Sequence, residues 1–252
     1  MTGSRIDVAR TTNAAVKEAV QKIAPKFFFD PATTARGTEL GYDGLQFYIA
    51  GRGGVVGDAS DDVVVEAFHY FEPTALAAMW AAAAKIGPVA DAAAAYAECG
   101  HAWGRAHLAG FDGVERLAEL AGKIVEANDL GPAGRLYTGW RALPLPDDAP
   151  ARAMHHLQSL REHRSDLHAL ALRATRITAL EAQIGERKHE GMIKFFGWTE
   201  PFPALDDELA ARRAEAEALT DELVAAAYTV LDDAESAEFA ALLPAALAHL
   251  DA

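Results

Sequence analysis

Between Leu160 and His168 the chain reads Leu-Arg-Glu-His-Arg-Ser-Asp-Leu-His, and six of these nine residues ionise. Guanidinium groups pair with carboxylate or phosphate in bidentate fashion, and imidazoles exchange protons near neutrality. The run therefore offers two chemistries. Arg161, Arg164 and His168 suit the anionic group of a ligand. His163, Asp166 and His168 suit acid–base catalysis or, with help from another element, metal ligation. A third reading is structural. In it, Arg161, Arg164 and Asp166 form a buried ion-pair network between helices, while His163 and His168 hydrogen-bond in the core.

The element that must position these groups is a helix expected from about 151 to 173. At about 100° per residue it sorts into three faces. His156, Leu160, His163, Leu167 and Leu170 share the face expected to meet the core. Leu157, Arg161, Arg164 and His168 share a second. His155, Ser159, Glu162, Asp166 and Arg173 share a third, expected to be solvated. His163 and His168 stand about 140° apart on such a helix. A metal would need His69, His101 or His107 as well, so no metal site is assigned and any cofactor stays open.

Other segments supply walls for a pocket. Gly100-His101-Ala102-Trp103-Gly104-Arg105-Ala106-His107 spaces two glycines four apart, which lets another helix approach, and offers Trp103 as a flat surface. Phe27-Phe28-Phe29, Phe47-Tyr48 and Phe68-His69-Tyr70-Phe71 cluster aromatics in the N-terminal half. The expected ligand site takes Arg161, Arg164 and His168 as polar anchors, with Tyr48, His69 and Trp103 around them. Gly51-Arg52-Gly53-Gly54 completes no phosphate loop, and no strand precedes it. No local Ser-His-Asp or Cys-His arrangement is recognisable.

Helix signals fill the rest of the 252 residues. The expected segments are 2–23, one starting at Asp30-Pro31, 44–51, 63–71, and 73 to about 86. Others follow at 88–109, 113–128, 175–184, 186–196, 205–231 and 234–250. Leu130 to Pro150 is rich in glycine and proline, with room for a short helix at 135–141. It divides an N-terminal helical domain, 1–130, from a C-terminal helical region, 151–252, or forms a long loop within one domain. The fold class is all-α, a multi-helix globular bundle.

The formal net charge is -14, which disfavours DNA and anionic membranes as partners. No run of about 18 apolar residues offers a membrane span, and no signal peptide is evident. Cys99 is the one cysteine. It reads as a small buried hydrophobe, and a reducing cytoplasm is the expected compartment. The C-terminal helices carry Leu209, Leu219, Leu223, Tyr228 and Leu231, which would either pair across a homodimer or pack on their own domain.

The Leu160–His168 run, Arg141-Ala142-Leu143-Pro144, and the stretch from Ala50-Gly51-Arg52 to Phe71-Glu72-Pro73 resemble an actinobacterial family of uncharacterised helix-turn-helix proteins. Gly197-Trp198 and Thr220-Asp221 fit the same pattern, and the resemblance covers about residues 25–250. It implies a helical N-terminal part and a C-terminal part similar to the winged helix of small-molecule-responsive repressors. The chain departs from that pattern between Trp198 and Thr220, where only 21 residues stand. The family pattern has a recognition helix and wing there; here the stretch holds a Pro-Phe-Pro turn and a helix whose acids outnumber Arg212 and Arg213. The C-terminal part is therefore expected to be a degenerate winged helix. The leading functional expectation is a small-molecule-binding protein whose ligand is anionic. An enzyme built on His163, Asp166 and His168 comes second, and a ligand-responsive regulator third.

Overall fold

A computed structural model describes residues 4–184 and 190–252, and among them it holds twelve α-helices and no strand. The all-α expectation is met. In chain order the helices are α1 (Arg5–Ile23), α2 (Pro31–Glu39), α3 (Gly44–Gly53), α4 (Asp61–Phe68), α5 (Pro73–Ala84) and α6 (Val89–His107). Then come α7 (Val114–Ala127), α8 (Arg135–Ala142), α9 (Ala149–Ala174), α10 (Glu190–Phe195), α11 (Asp207–Ala225) and α12 (Asp233–Leu250). No described helix is long and apolar enough to cross a membrane.

Local chemistry sets the boundaries. Asp30 caps α2 by accepting from the Ala32 amide, with Pro31 in the first turn. Glu72 caps α5 through the Ala75 amide, followed by Pro73. Asp148 caps α9 through the Ala151 amide, and Pro150 occupies its first turn. Carboxylates at these ends satisfy free amides and complement the helix dipole.

The 26-residue α9 runs through the middle of the bundle, packed against α7, α6, α11, α8 and α1. Gly104 permits the α6 crossing, because a Cβ there would stand 2.5 Å from the Pro150 carbonyl oxygen. The main core gathers side chains from Ala9 to Ala246, and Leu136, Tyr137 and Trp140 of α8 lie within it. The short helix in the glycine- and proline-rich segment is thus a core element. A smaller core gathers Leu172, Ile177, Ala182, Ile184, Ile193, Leu209 and Ala216.

Three expectations change. Residues 175–184 carry only a 3-10 turn at Glu181–Gln183, because Arg176 takes φ +58° and breaks the chain away from α9. The helix expected over 205–231 ends as α-helix at Ala225 and tightens to 3-10 over Ala226–Val230. The third face of α9, expected to be wet, is buried at His155, Ser159, Glu162 and Asp166. The proposed starts at Thr2 and at 186–189 lie outside the described residues. Leu209, Tyr228 and Leu231 are buried within this one chain, whereas Leu223 is exposed.

Candidate functional site

The ionisable run on α9 is organised around a residue of α3. Arg52 reaches Glu162 in a bidentate pair, Nε to Oε1 and Nη2 to Oε2, each 2.7 Å. The two side chains are 3% and 0% exposed. Gln158 donates to Glu162 Oε1 at 2.7 Å and Arg161 donates to the same oxygen at 3.1 Å. Arg52 also donates to the Tyr48 hydroxyl at 3.1 Å and lies over the Phe68 ring at 4.8 Å. Burial alone would raise the Glu162 carboxyl, but the Arg52 charge and its hydrogen bonds offset that and hold it below the ordinary range. The pair stays ionised.

The backbone brings Arg52 there by lying unusually deep. A Cβ on Gly51 would stand 2.4 Å from the Tyr96 ring, and one on Gly53 would stand 2.6 Å from Phe68. Glycine on both sides of an arginine is thus the sequence signal for this partner, one that phosphate-loop matching passes over.

Asp166 belongs to a different task. Its Oδ2 accepts from the Tyr137 amide at 3.0 Å, at the start of α8. It caps that helix from a neighbouring one. Burial pushes its carboxyl up to about 7, against the opposing hydrogen bond from the Tyr137 amide. His163 packs edge-on to the Tyr137 ring at 4.9 Å, and burial lowers it to about 4. His168 turns to α11, where Nδ1 stands 2.8 Å from the Thr220 hydroxyl. The three candidate catalytic residues therefore do not converge on one point: Asp166 and His163 meet the amide and the ring of Tyr137, and His168 meets Thr220. No group of three metal-ligating side chains is found among the described residues.

Of the expected anchors, Arg164 and His168 both meet Glu217 of α11, and Arg161 parts from them. Arg161 lies over the Phe28 ring at 4.9 Å and reaches Glu162. Arg164 pairs with Glu217 of α11 at 2.7 Å. Tyr48 sits in the aromatic cluster with Phe28 and Phe71. His69, at φ +52°, follows α4, and burial lowers it to about 4. Trp103 stacks on His107 at 4.5 Å along a groove of about 480 Å³ that also meets Arg36 and the half-buried Cys99.

Two other histidines of α9 border open space. His101 Nε2 and His155 Nδ1 stand 3.1 Å apart, one donating and one accepting. Burial, reinforced by His101, lowers His155 to about 3. His156 is 3% exposed, and its Nδ1 has no hydrogen-bond partner. Burial and the Arg152 charge lower it to about 4, so the ring is neutral at pH 7. His156 borders a cavity of about 640 Å³ along α7 and another of about 270 Å³ beside α8. The two cavities share His156, Glu126 and Leu145 as walls. Leu145, 46% exposed, lies in the connection from α8 to α9. Sequence reading placed His156 on the core face, and helical periodicity carries no sign of a void beside it.

The C-terminal part is reduced. The six residues of α10 make a helix about 9 Å long at 1.5 Å per residue, with Ile193 buried in the smaller core. Arg212 donates to the Arg176 carbonyl and Glu181, and Arg213 to the carbonyls of Glu181 and Ala182. The basic side chains of α11 are thus spent inside the fold. Nothing among the curated proteins or the solved structures matches the chain. The model of a helix-turn-helix family matches it over residues 13–252.

Proposed function

We propose that this chain, which belongs to the helix-turn-helix family, is a small-molecule-binding protein whose ligand enters the cavities beside His156. One observation carries the reading: a buried, neutral imidazole on the wall between two adjoining cavities, with its Nδ1 unpartnered inside the fold and its Nε2 beside Gly122 of the larger cavity. The larger cavity, about 640 Å³, has the size of a small-molecule site, about 300–1,000 Å³, and the smaller, about 270 Å³, extends it.

The reduced C-terminal part supports the same reading. Reading bases in the major groove takes a helix that projects several basic or amide side chains. Here α10 is short, and Arg212 and Arg213 face their own chain. The test is a thermal-shift and calorimetric screen of small organic molecules against the parent protein and His156→Leu. A compound that binds the parent and binds a folded His156→Leu protein at least tenfold more weakly supports the proposal. Equal binding to both moves the site elsewhere.

Family membership itself favours a second reading, a DNA-binding regulator that responds to a ligand. It predicts a shift of promoter DNA whose affinity falls steeply with salt. No shift at about 50 mM salt, a condition at which phosphate contacts are strong, would end that reading.

A further inference from the structure

The charges around His156 narrow the chemistry of the ligand, on the premise that the proposed site is the right one. Glu115 and Glu126 of α7 border the larger cavity. Neither carboxylate has an ion-pair partner among the described residues, whereas their neighbours Glu119 and Lys123 pair with Arg116 and Glu235. Arg152 borders the cavity from α9, one turn before His156. Its Nη1 donates to the carbonyls of Pro146 and Asp147, so it meets no carboxylate there. Arg141, facing the smaller cavity, is spent on the carbonyls of Val125 and Glu126. The cavity wall thus holds one guanidinium with capacity to spare, two unpaired carboxylates and one neutral imidazole, beside Glu119 and Lys123, which are already paired. Ala118, Gly122 and Leu145 supply its apolar surface.

We infer that the site takes a zwitterion of the amino-acid type, with its carboxylate on Arg152, its ammonium on Glu115 or Glu126, and an apolar side group under Leu145. A simple anion would leave both glutamates unanswered and face their repulsion. A simple cation would face Arg152. A molecule carrying both charges matches both sets, and charge matching of this kind discriminates among ligands more than it adds raw affinity. The Nε2 of His156, beside Gly122 on the same wall, is the ring atom placed to add a hydrogen bond, from the ammonium where it accepts or to the carboxylate where it donates.

The experiment is calorimetry at pH 7 on the full chain with three matched probes: leucine, leucine methyl ester and N-acetylleucine. Phenylalanine and its two blocked forms extend the series to a larger side group. The expected result is that a free amino acid binds, and that each blocked form binds at least tenfold more weakly. Arg152→Gln should weaken the free amino acid and leave the ester unchanged, whereas Glu126→Gln should weaken it and leave the N-acetyl form unchanged. Equal binding of free and blocked forms overturns the zwitterion. So does failure of every amino acid in a protein that binds another compound class through His156, and in that case the proposed function stands. If no compound of any class depends on His156, the proposed function itself fails.

Discussion

Removing one partner of the Arg52–Glu162 pair leaves the other charged and buried, which costs about 3–5 kcal/mol. Arg52→Met should therefore lower the urea midpoint strongly, and Arg52→Met with Glu162→Leu should recover most of the loss. A double variant no better than the single one would contradict a purely structural pair. The buried histidines set a second test. His69, His155, His156 and His163 are held at about 4, 3, 4 and 4, against an ordinary value near 6.5. A depressed group contributes stability that is present above its unfolded value and is lost as pH falls through the folded one. Stability should therefore fall between pH 6.5 and about 3–4, by up to about 1.4 kcal/mol per pH unit for each group, and the melting temperature should fall with it. Asp166 acts in the opposite sense. It is raised to about 7, so its contribution is full below its unfolded value near 3.8 and is lost as pH climbs through 7. Asp166→Asn keeps an oxygen for the Tyr137 amide and should flatten the fall in stability between pH 4 and 7. An unchanged pH profile would show that Asp166 is not held protonated by burial.

At the scale of elements, most helix boundaries were legible because caps and breakers write them locally. Asp30-Pro31, Glu72-Pro73 and Gly87-Pro88 stand at observed helix ends. The orientation of α9 was less legible. Sorting a helix into a core face and a wet face assumes neighbours on one side only. Here α6, α7, α8, α11 and α1 surround it, so Glu162 and Asp166 were assigned to water while the structure buries them. Their partners, Arg52 and the start of α8, lie 110 and 29 residues earlier, beyond the reach of any local spacing. The close crossing that Gly100 and Gly104 announced does occur at Gly104, where α9 fits against α6. Gly104→Ala places a methyl against the Pro150 carbonyl and should cost about 1–3 kcal/mol in chemical denaturation. A neutral result there would mean that the two helices part without penalty.

Over the whole molecule, the net charge is -14, and Arg212 and Arg213 of α11 turn to their own chain. The Leu160–His168 run, which invited a catalytic or ligand-anchoring reading, ties α9 to α3, α8 and α11. A small cavity of about 140 Å³ meets the run at Asp166, and the larger open space lies one to two turns earlier, at His155 and His156. The anchors and the two cavities beside His156 thus belong to different turns of one helix, and the proposed small-molecule site is at His156. The most direct measurement is an amide chemical-shift map of the full chain during titration with free leucine or phenylalanine. Shifts should centre on Gly122 and Glu126 of α7, Leu145 and His156, and leave the Arg161–His168 turns quiet. Saturable shifts centred instead on Arg161, Arg164 and His168, or on the Trp103 groove with none at His156, would contradict the account.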